Sequence, residues 1–173
     1  MKEVLEQYIR ENLVLEPKRS KYKDFLGSFK KSKYYNEEVV NEDYMMEMSS
    51  SISDYVKEKE KYSDFQTLLF KFIDERNLKD SDVYNKVHID RRLFSKIRSD
   101  KDYHPSKETI ILLGLSLELS EQEIDELLSS ASFSLPKNNY FDLIIRFCFI
   151  NKIYKITEVN DLLSSYDCKL FNY

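Results

Sequence analysis

Glycine and proline are scarce in this chain, which has two glycines and three prolines among 173 residues. A β-rich protein of this length needs many tight turns, and those turns rely on glycine and proline. Their scarcity, together with abundant Leu, Ile, Lys and Glu, predicts an all-α protein. Hydrophobic residues make up 42% of the chain, which is enough for a packed core and too much for a disordered chain.

Cysteine and histidine are equally rare, with two of each. Cys148 and Cys168 lie far apart, and the N-terminal MKEVLEQYIREN lacks the apolar centre of a signal peptide, so we expect a reduced, cytoplasmic setting. His88 and His104 have no further ligand at metal spacing, so no metal site is predicted.

Long apolar runs and catalytic motifs are also missing. No run approaches the roughly 20 residues that span a bilayer, so no membrane segment is expected. The two glycines lie too far apart for a phosphate-binding loop, and no spacing singles out a pair of carboxylates. We therefore expect a protein that is not an enzyme and has neither a cofactor nor a small-molecule substrate.

Charge is distributed unevenly around a net value of −4. Residues 17–35 carry seven Lys or Arg and one acid, whereas residues 36–60 carry eight acids and two lysines. Aromatic residues are interleaved with the basic ones in residues 17–35, which suits either binding along a nucleic-acid backbone or docking of the aromatics on the core with the lysines in water. Residues 36–51 are acidic and then rich in Met and Ser, so they are the best candidate for a linker.

Hydrophobic spacing divides the chain into an N-terminal helical attachment, 1–60, and a helical domain, 61–173. Helices are predicted over 3–15 and from residue 65 onward. Ser120-Glu121-Gln122-Glu123 is a capping box that starts another helix, and Thr157 is expected to cap the last one. The run 141–150 is apolar nearly all round, which suits a buried helix or one that packs against a partner.

The most informative stretch is 78–119, LKDSDVYNKVHIDRRLFSKIRSDKDYHPSKETIILLGLSLEL. It predicts two short helices joined by a tight turn, then a loop and a longer apolar helix, the order in which a helix-turn-helix unit presents a short helix to the major groove of DNA. Asp90 is expected to cap the second short helix. The inward positions would be Val83, Val87, Ile89, Phe94 and Ile97.

This stretch resembles the lambda-repressor-like (Cro/C1-type) helix-turn-helix family over roughly residues 65–131. Tyr103-His104-Pro105-Ser106 is similar to the family's entry into its fourth helix, and 120–127 to the helix that follows. The resemblance implies a five-helix core at about 64–132, extended by two C-terminal helices. It also implies DNA as a partner, with a homodimer formed through the apolar C-terminal helices.

The implied function is that of a sequence-specific or non-specific DNA-binding transcriptional regulator. Arg91, Arg92, Ser95 and Lys96 would then face the groove, since arginine can pair with two acceptors on guanine. The residues expected to approach phosphates are Arg98, Lys101 and Lys107.

An alternative is a protein-interaction or adaptor module, for example a toxin-neutralising or defence-system partner, that keeps the helix-turn-helix fold without DNA recognition. It is favoured by Asp80, which stands where many family members carry a DNA-contacting glutamine, because a carboxylate repels phosphates. It is also favoured by Leu93, which is expected to point outward and to suit a protein partner better than a base edge.

Overall fold

Eight α-helices make up the part of the chain that the computed structural model describes, residues 1–14 and 64–172. They are α1 (Lys2–Asn12), α2 (Phe65–Glu75), α3 (Asp80–Lys86), α4 (Arg91–Ser99), α5 (Lys107–Ser116), α6 (Glu121–Ser130), α7 (Tyr140–Ile150) and α8 (Ile156–Ser164). The prediction of an all-α protein is confirmed. The basic range 17–35, the acidic range 36–60 and the predicted linker 36–51 lie outside the described residues.

Most of the helices begin at a polar side chain that accepts a hydrogen bond from a free amide of the first turn. Asp90 accepts from the amide of Arg92 at 2.6 Å, and Ser120 forms the predicted capping box with Glu123. Both predicted caps are therefore confirmed. The prediction for Thr157 is wrong, because α8 begins at Ile156 with Lys155 as its N-cap residue.

Six helices end at a residue with positive φ that is not glycine: Asn77, His88, Glu118, Ser132, Lys152 and Asp167. In each case the next amide bonds to the carbonyl five residues back, as the amide of Ile89 does to Tyr84 at 2.9 Å. This pattern is the Schellman motif, in which glycine is the usual residue. The left-handed residue reverses the chain, and in three of the motifs the residue that follows it is buried, namely Ile89, Leu119 and Ile153.

Helices α5 and α7 form the centre of the core. Ile110, Ile111, Leu113 and Leu115 of α5 are completely buried, and every residue of α7 from 142 to 149 except Arg146 is buried. Helix α5 packs on α3 and α6, while α7 packs on α1, α6 and α8. The apolar run 141–150 was predicted to form either a buried helix or a helix that packs against a partner, and the structure shows a buried helix. Its apolar surface is therefore not free for the expected dimer contact.

Helix α1 packs on α7 although more than 120 residues separate them in the chain. Leu5 and Ile9 are buried, and the rings of Tyr8 and Phe147 lie 5.4 Å apart. The amide of Val14 also donates to the carbonyl of Lys137 at 2.8 Å. Residues 1–14 thus form one unit with 63–173, so α1 belongs with the helices that follow residue 60. None of the helices described in residues 1–14 and 64–172 is long and apolar enough to cross a membrane.

Glu123 joins the start of α6 to the end of α2. Its carboxylate accepts hydrogen bonds from the amide of Ser120 and from Arg76 Nη2, both at 2.7 Å. Partial burial by itself would raise the pKa of Glu123, but the hydrogen bonds from Arg76 and Ser120 outweigh it and lower the pKa below the ordinary value of 4.5. The ionised carboxylate therefore stabilises the folded state.

We expect Glu123→Gln to lower the free energy of unfolding at neutral pH by about 1 kcal/mol, since two hydrogen bonds to a charged group are weakened. A group whose pKa is lowered by folding stabilises the protein above its unfolded pKa, and this contribution is lost as the pH falls below about 4.5. Urea unfolding from pH 7 to pH 3 should show a shallower acid loss in the variant. Glu126→Gln, at an exposed position of the same helix, serves as the control and should leave the pH profile unchanged.

Gly114 lies where α5 crosses α6 and α7. A Cβ at this position would meet Ile124 Cδ1 at 2.5 Å and Phe149 Cζ at 3.2 Å. The side chain of Ile124 can rotate away at its end, but the buried ring of Phe149 has little room to move. Glycine therefore allows the helices to approach closely here, and a larger side chain would crowd the ring of Phe149.

We expect Gly114→Val to lower the free energy of unfolding by about 2 kcal/mol through overpacking. Ser129→Val, at an exposed position of α6, introduces the same side chain without this crowding and should change stability by less than about 0.5 kcal/mol. Chemical denaturation of the two variants checks this. Equal stability of Gly114→Val and the wild type would contradict the role given to the glycine.

Candidate functional site

The orientation of α4 is set by apolar contacts on one side of the helix. Phe94 and Ile97 are 2% exposed. The ring of Phe94 lies 5.5 Å from that of Tyr84 in α3 and 6.2 Å from that of Phe70 in α2. The helix has only nine residues, so it depends on these contacts for its stability.

The opposite side of α4 is an exposed cationic face. At 3.6 residues per turn, its members fall within an arc of about 160°. All of them are exposed to solvent, and they are Arg91, Arg92, Ser95, Lys96, Arg98 and Ser99. The face thus combines four cations with two hydroxyls, and the helix itself contains no carboxylate. Asp90 and Asp100 flank it at the two ends.

The cations of this face differ in their partners. Arg91 and Arg92 form no ion pair with any residue in the described part of the chain. Lys96 lies over the ring of Tyr103, with its ammonium 4.5 Å from the centroid. Arg98 is held more firmly, because it pairs with Asp80 at 2.5 Å and lies 3.9 Å above the ring of Phe70.

A cleft of about 410 Å³ lies between α3 and α4. Arg91, Ser95 and Arg98 border it from α4, and Asp80 and Tyr84 from α3. Asp80 is the one carboxylate among the lining residues. Nothing in the sequence indicates that Asp80 and Arg98, 18 positions apart, are paired. The sequence did identify the basic residues of the helix.

The residues predicted to bind DNA are only partly brought together. Arg91, Arg92, Ser95, Lys96 and Arg98 share the exposed cationic face, and Lys101 is exposed in the turn that follows. Lys107 lies elsewhere, at the start of α5. It pairs at 2.5 Å with Asp142 of α7, whose side chain is only 5% exposed. That ion pair would have to break before Lys107 approached a phosphate.

The expectation that Leu93 points outward needs correction. Its side chain is partly buried and packs against the hydrophobic core. Since Phe94 and Ile97 occupy the neighbouring positions around the helix, Leu93 extends the packed side of α4 rather than the exposed one. The sequence did not show this because the width of the buried side is decided by the neighbouring helices.

Gln66 of α2 is a residue of this site that the sequence did not reveal. Its side-chain amide donates to the carbonyl of Ile97 and, at 3.0 Å, to that of Arg98. These carbonyls belong to the last turn of α4, where no intrahelical partner is available. Gln66 therefore ties the C-terminal end of the exposed cationic face to α2.

The remaining chemistry-bearing residues are placed as follows. Both cysteines are free thiols. Cys148 is buried as predicted, and this burial raises the pKa of its thiol to about 12. His88 occupies the predicted turn between α3 and α4, and His104 is exposed in the loop before Pro105. No group of three metal-ligating side chains occurs among the residues described.

Comparisons with known proteins give no match to a family model, to a curated protein or to a solved structure.

We expect Gln66→Leu to loosen the end of α4, because it removes two side-chain hydrogen bonds to that helix while keeping a similar volume. Amide hydrogen exchange should become several times faster in the last turn of α4 and stay unchanged in α7. Gln7→Leu, at an exposed position of α1, is the matched control and should leave exchange in α4 as it is. Unchanged protection of α4 in Gln66→Leu would refute this anchoring role.

Proposed function

We propose that the protein is a cytoplasmic, non-enzymatic regulator that binds double-stranded DNA through the exposed cationic face of α4. The observation that carries the proposal is this face itself, with four cations, two hydroxyls and no carboxylate on one side of a helix. The order of α3, a four-residue turn and α4 supports a helix-turn-helix unit of the lambda-repressor-like type.

In the proposed complex, α4 lies in the major groove. Arg91, Arg92, Ser95 and Lys96 face the base edges and the adjoining phosphates, and Lys101 reaches the backbone beyond the end of the helix. Arginine suits this position because its planar fork bonds two acceptors of guanine at once. Serine adds a donor and an acceptor that are compatible with several bases.

The overall charge of −4 does not oppose this proposal. Electrostatic interactions between exposed charges are screened beyond about 8 Å at physiological salt, so the local surface dominates binding. Within α4 that surface is purely cationic. A distant acidic surface would slow the encounter with DNA but would not cancel contacts at the groove.

A direct test is fluorescence anisotropy of the full chain with a labelled random duplex. If Arg91, Arg92, Lys96 and Lys101 together neutralise four phosphates, log affinity should fall with log salt at a slope of about −3.6. Binding without sequence preference is expected below about 100 micromolar protein at low salt. Absence of binding at that concentration would overturn the proposal.

The double variant Arg91→Gln and Arg92→Gln should weaken duplex binding at least about tenfold and make the salt slope shallower by about 1.8, since two phosphate contacts are lost. A double variant with Arg10→Gln and Lys137→Gln removes the same net charge at exposed positions of α1 and of the loop before α7. This control should bind almost as the wild type does. Equal weakening by both pairs would mean that total charge matters and the face does not.

The second candidate is a protein-interaction module with a helix-turn-helix shape. Asp80 still favours it, because this carboxylate lies in the cleft beside α4. The partly buried position of Leu93 removes the other residue-level argument for it. If this candidate is correct, the double variant Arg91→Gln and Arg92→Gln should lose a protein partner that binds the face. Neither the wild type nor the variant should then bind duplex DNA.

A further inference from the structure

Among the described residues, Arg98 is the one cation of the exposed cationic face that has an ion-pair partner. Its Nη2 donates to Asp80 Oδ1 at 2.5 Å. The guanidinium also lies 3.9 Å above the ring of Phe70, an arrangement favourable for a cation over an aromatic face. Contacts from α3 and α2 together hold the side chain at the edge of the face.

The ion pair remains accessible to solvent and to ligands. The side chains of Arg98 and Asp80 are 49% and 36% exposed. Both border the cleft between α3 and α4, next to Arg91 and Ser95. A phosphate oxygen that entered this cleft would bind the same guanidinium donor of Arg98 that now bonds to Asp80. This follows because carboxylate and phosphate both bind guanidinium through anionic oxygens.

We infer that Asp80 is an internal competitor of the DNA phosphate for Arg98, and that it limits affinity for DNA. This inference rests on the proposed function and specifies how the same site is regulated. In the free protein Arg98 is paired with Asp80. A bound phosphate must displace the carboxylate, and the displaced carboxylate then lies close to the backbone and repels it.

The competition has a specific consequence for binding. Arg98 adds little to the affinity for an arbitrary duplex, because gaining a phosphate contact costs the pair with Asp80. Non-specific binding is weakened most, since it depends mainly on phosphate contacts. Base contacts made by Arg91 and Arg92 keep their full effect. Asp80 is therefore a specificity-determining residue rather than a residue that contacts DNA.

The experiment measures duplex affinity and its salt dependence for Asp80→Asn, Arg98→Gln and the double variant. We expect Asp80→Asn to bind a random duplex about fivefold more tightly than the wild type. Its salt slope should be steeper by about 0.9, because one further cation reaches a phosphate. Arg98→Gln alone should change affinity less than about twofold, and the double variant should lose the increase in slope.

Asp102→Asn is the matched control, since Asp102 is exposed just beyond α4 and removing it changes the net charge equally. It should tighten binding less than about twofold and leave the slope unchanged. Asp80→Ser serves as a second variant if the asparagine disturbs the start of α3. Circular dichroism verifies that each variant is folded.

The outcomes separate the inference from the proposed function. If the wild type binds duplex but Asp80→Asn binds equally or more weakly, the competition is refuted and DNA binding stands. If the gain in Asp80→Asn persists after Arg98→Gln, the effect is general repulsion and the inference is again refuted. If neither the wild type nor Asp80→Asn binds, the proposed function itself fails. Binding by Asp80→Asn without binding by the wild type would overturn the proposed function of the natural chain, and with it the inference that Asp80 regulates that function.

Discussion

The packing of Phe94 and Ile97 beneath α4 is the interaction on which the rest of the site depends. A nine-residue helix has little stability of its own, so its position comes from the side that it buries. Once Phe94 contacts Tyr84 and Phe70, the opposite side of the helix, which carries the cations, is turned toward solvent. The same apolar contacts that stabilise the domain therefore create an open cationic surface, and no separate device is needed to expose it.

Carboxylates around this surface have different effects according to their position. Asp90 accepts the amide of Arg92 and so stabilises the start of α4. Asp80 belongs to another helix and neutralises Arg98 across the cleft. Both residues count as one negative charge when charge is summed along the sequence. Asp90 nevertheless stabilises α4, whereas Asp80 forms an ion pair with one of its cations. The net charge of a segment therefore does not show how strongly its surface can bind an anion unless the ion pairs of its charged side chains are known.

Local rules predicted several of the helices and two of their starts. Hydrophobic spacing located α2, α6 and α7, and the hydrogen-bonding capacity of Asp90 and Ser120 located two starts. Such rules act within one or two turns, so they are visible in the sequence. They failed where several neighbouring residues could equally well begin a helix, as at Thr157, which lies just inside α8. Helix ends without glycine were also hidden, because the residue type does not predict a left-handed conformation there; at three of these ends the next residue, Ile89, Leu119 or Ile153, is buried in the core.

The sequence by itself determined that the protein is helical and that α4 carries basic residues, since both follow from composition and short-range spacing. The tertiary structure alone decided which of the basic residues predicted to bind DNA are paired with acids among residues 1–14 and 64–172. Arg98 meets Asp80, Lys107 meets Asp142 and Gln66 holds the end of α4, and each pair joins residues at least 18 positions apart. Such pairs form only when packing of the core brings helices together, because no local preference links residues across that distance. Which charged side chains of the candidate site are paired therefore depends on the fold.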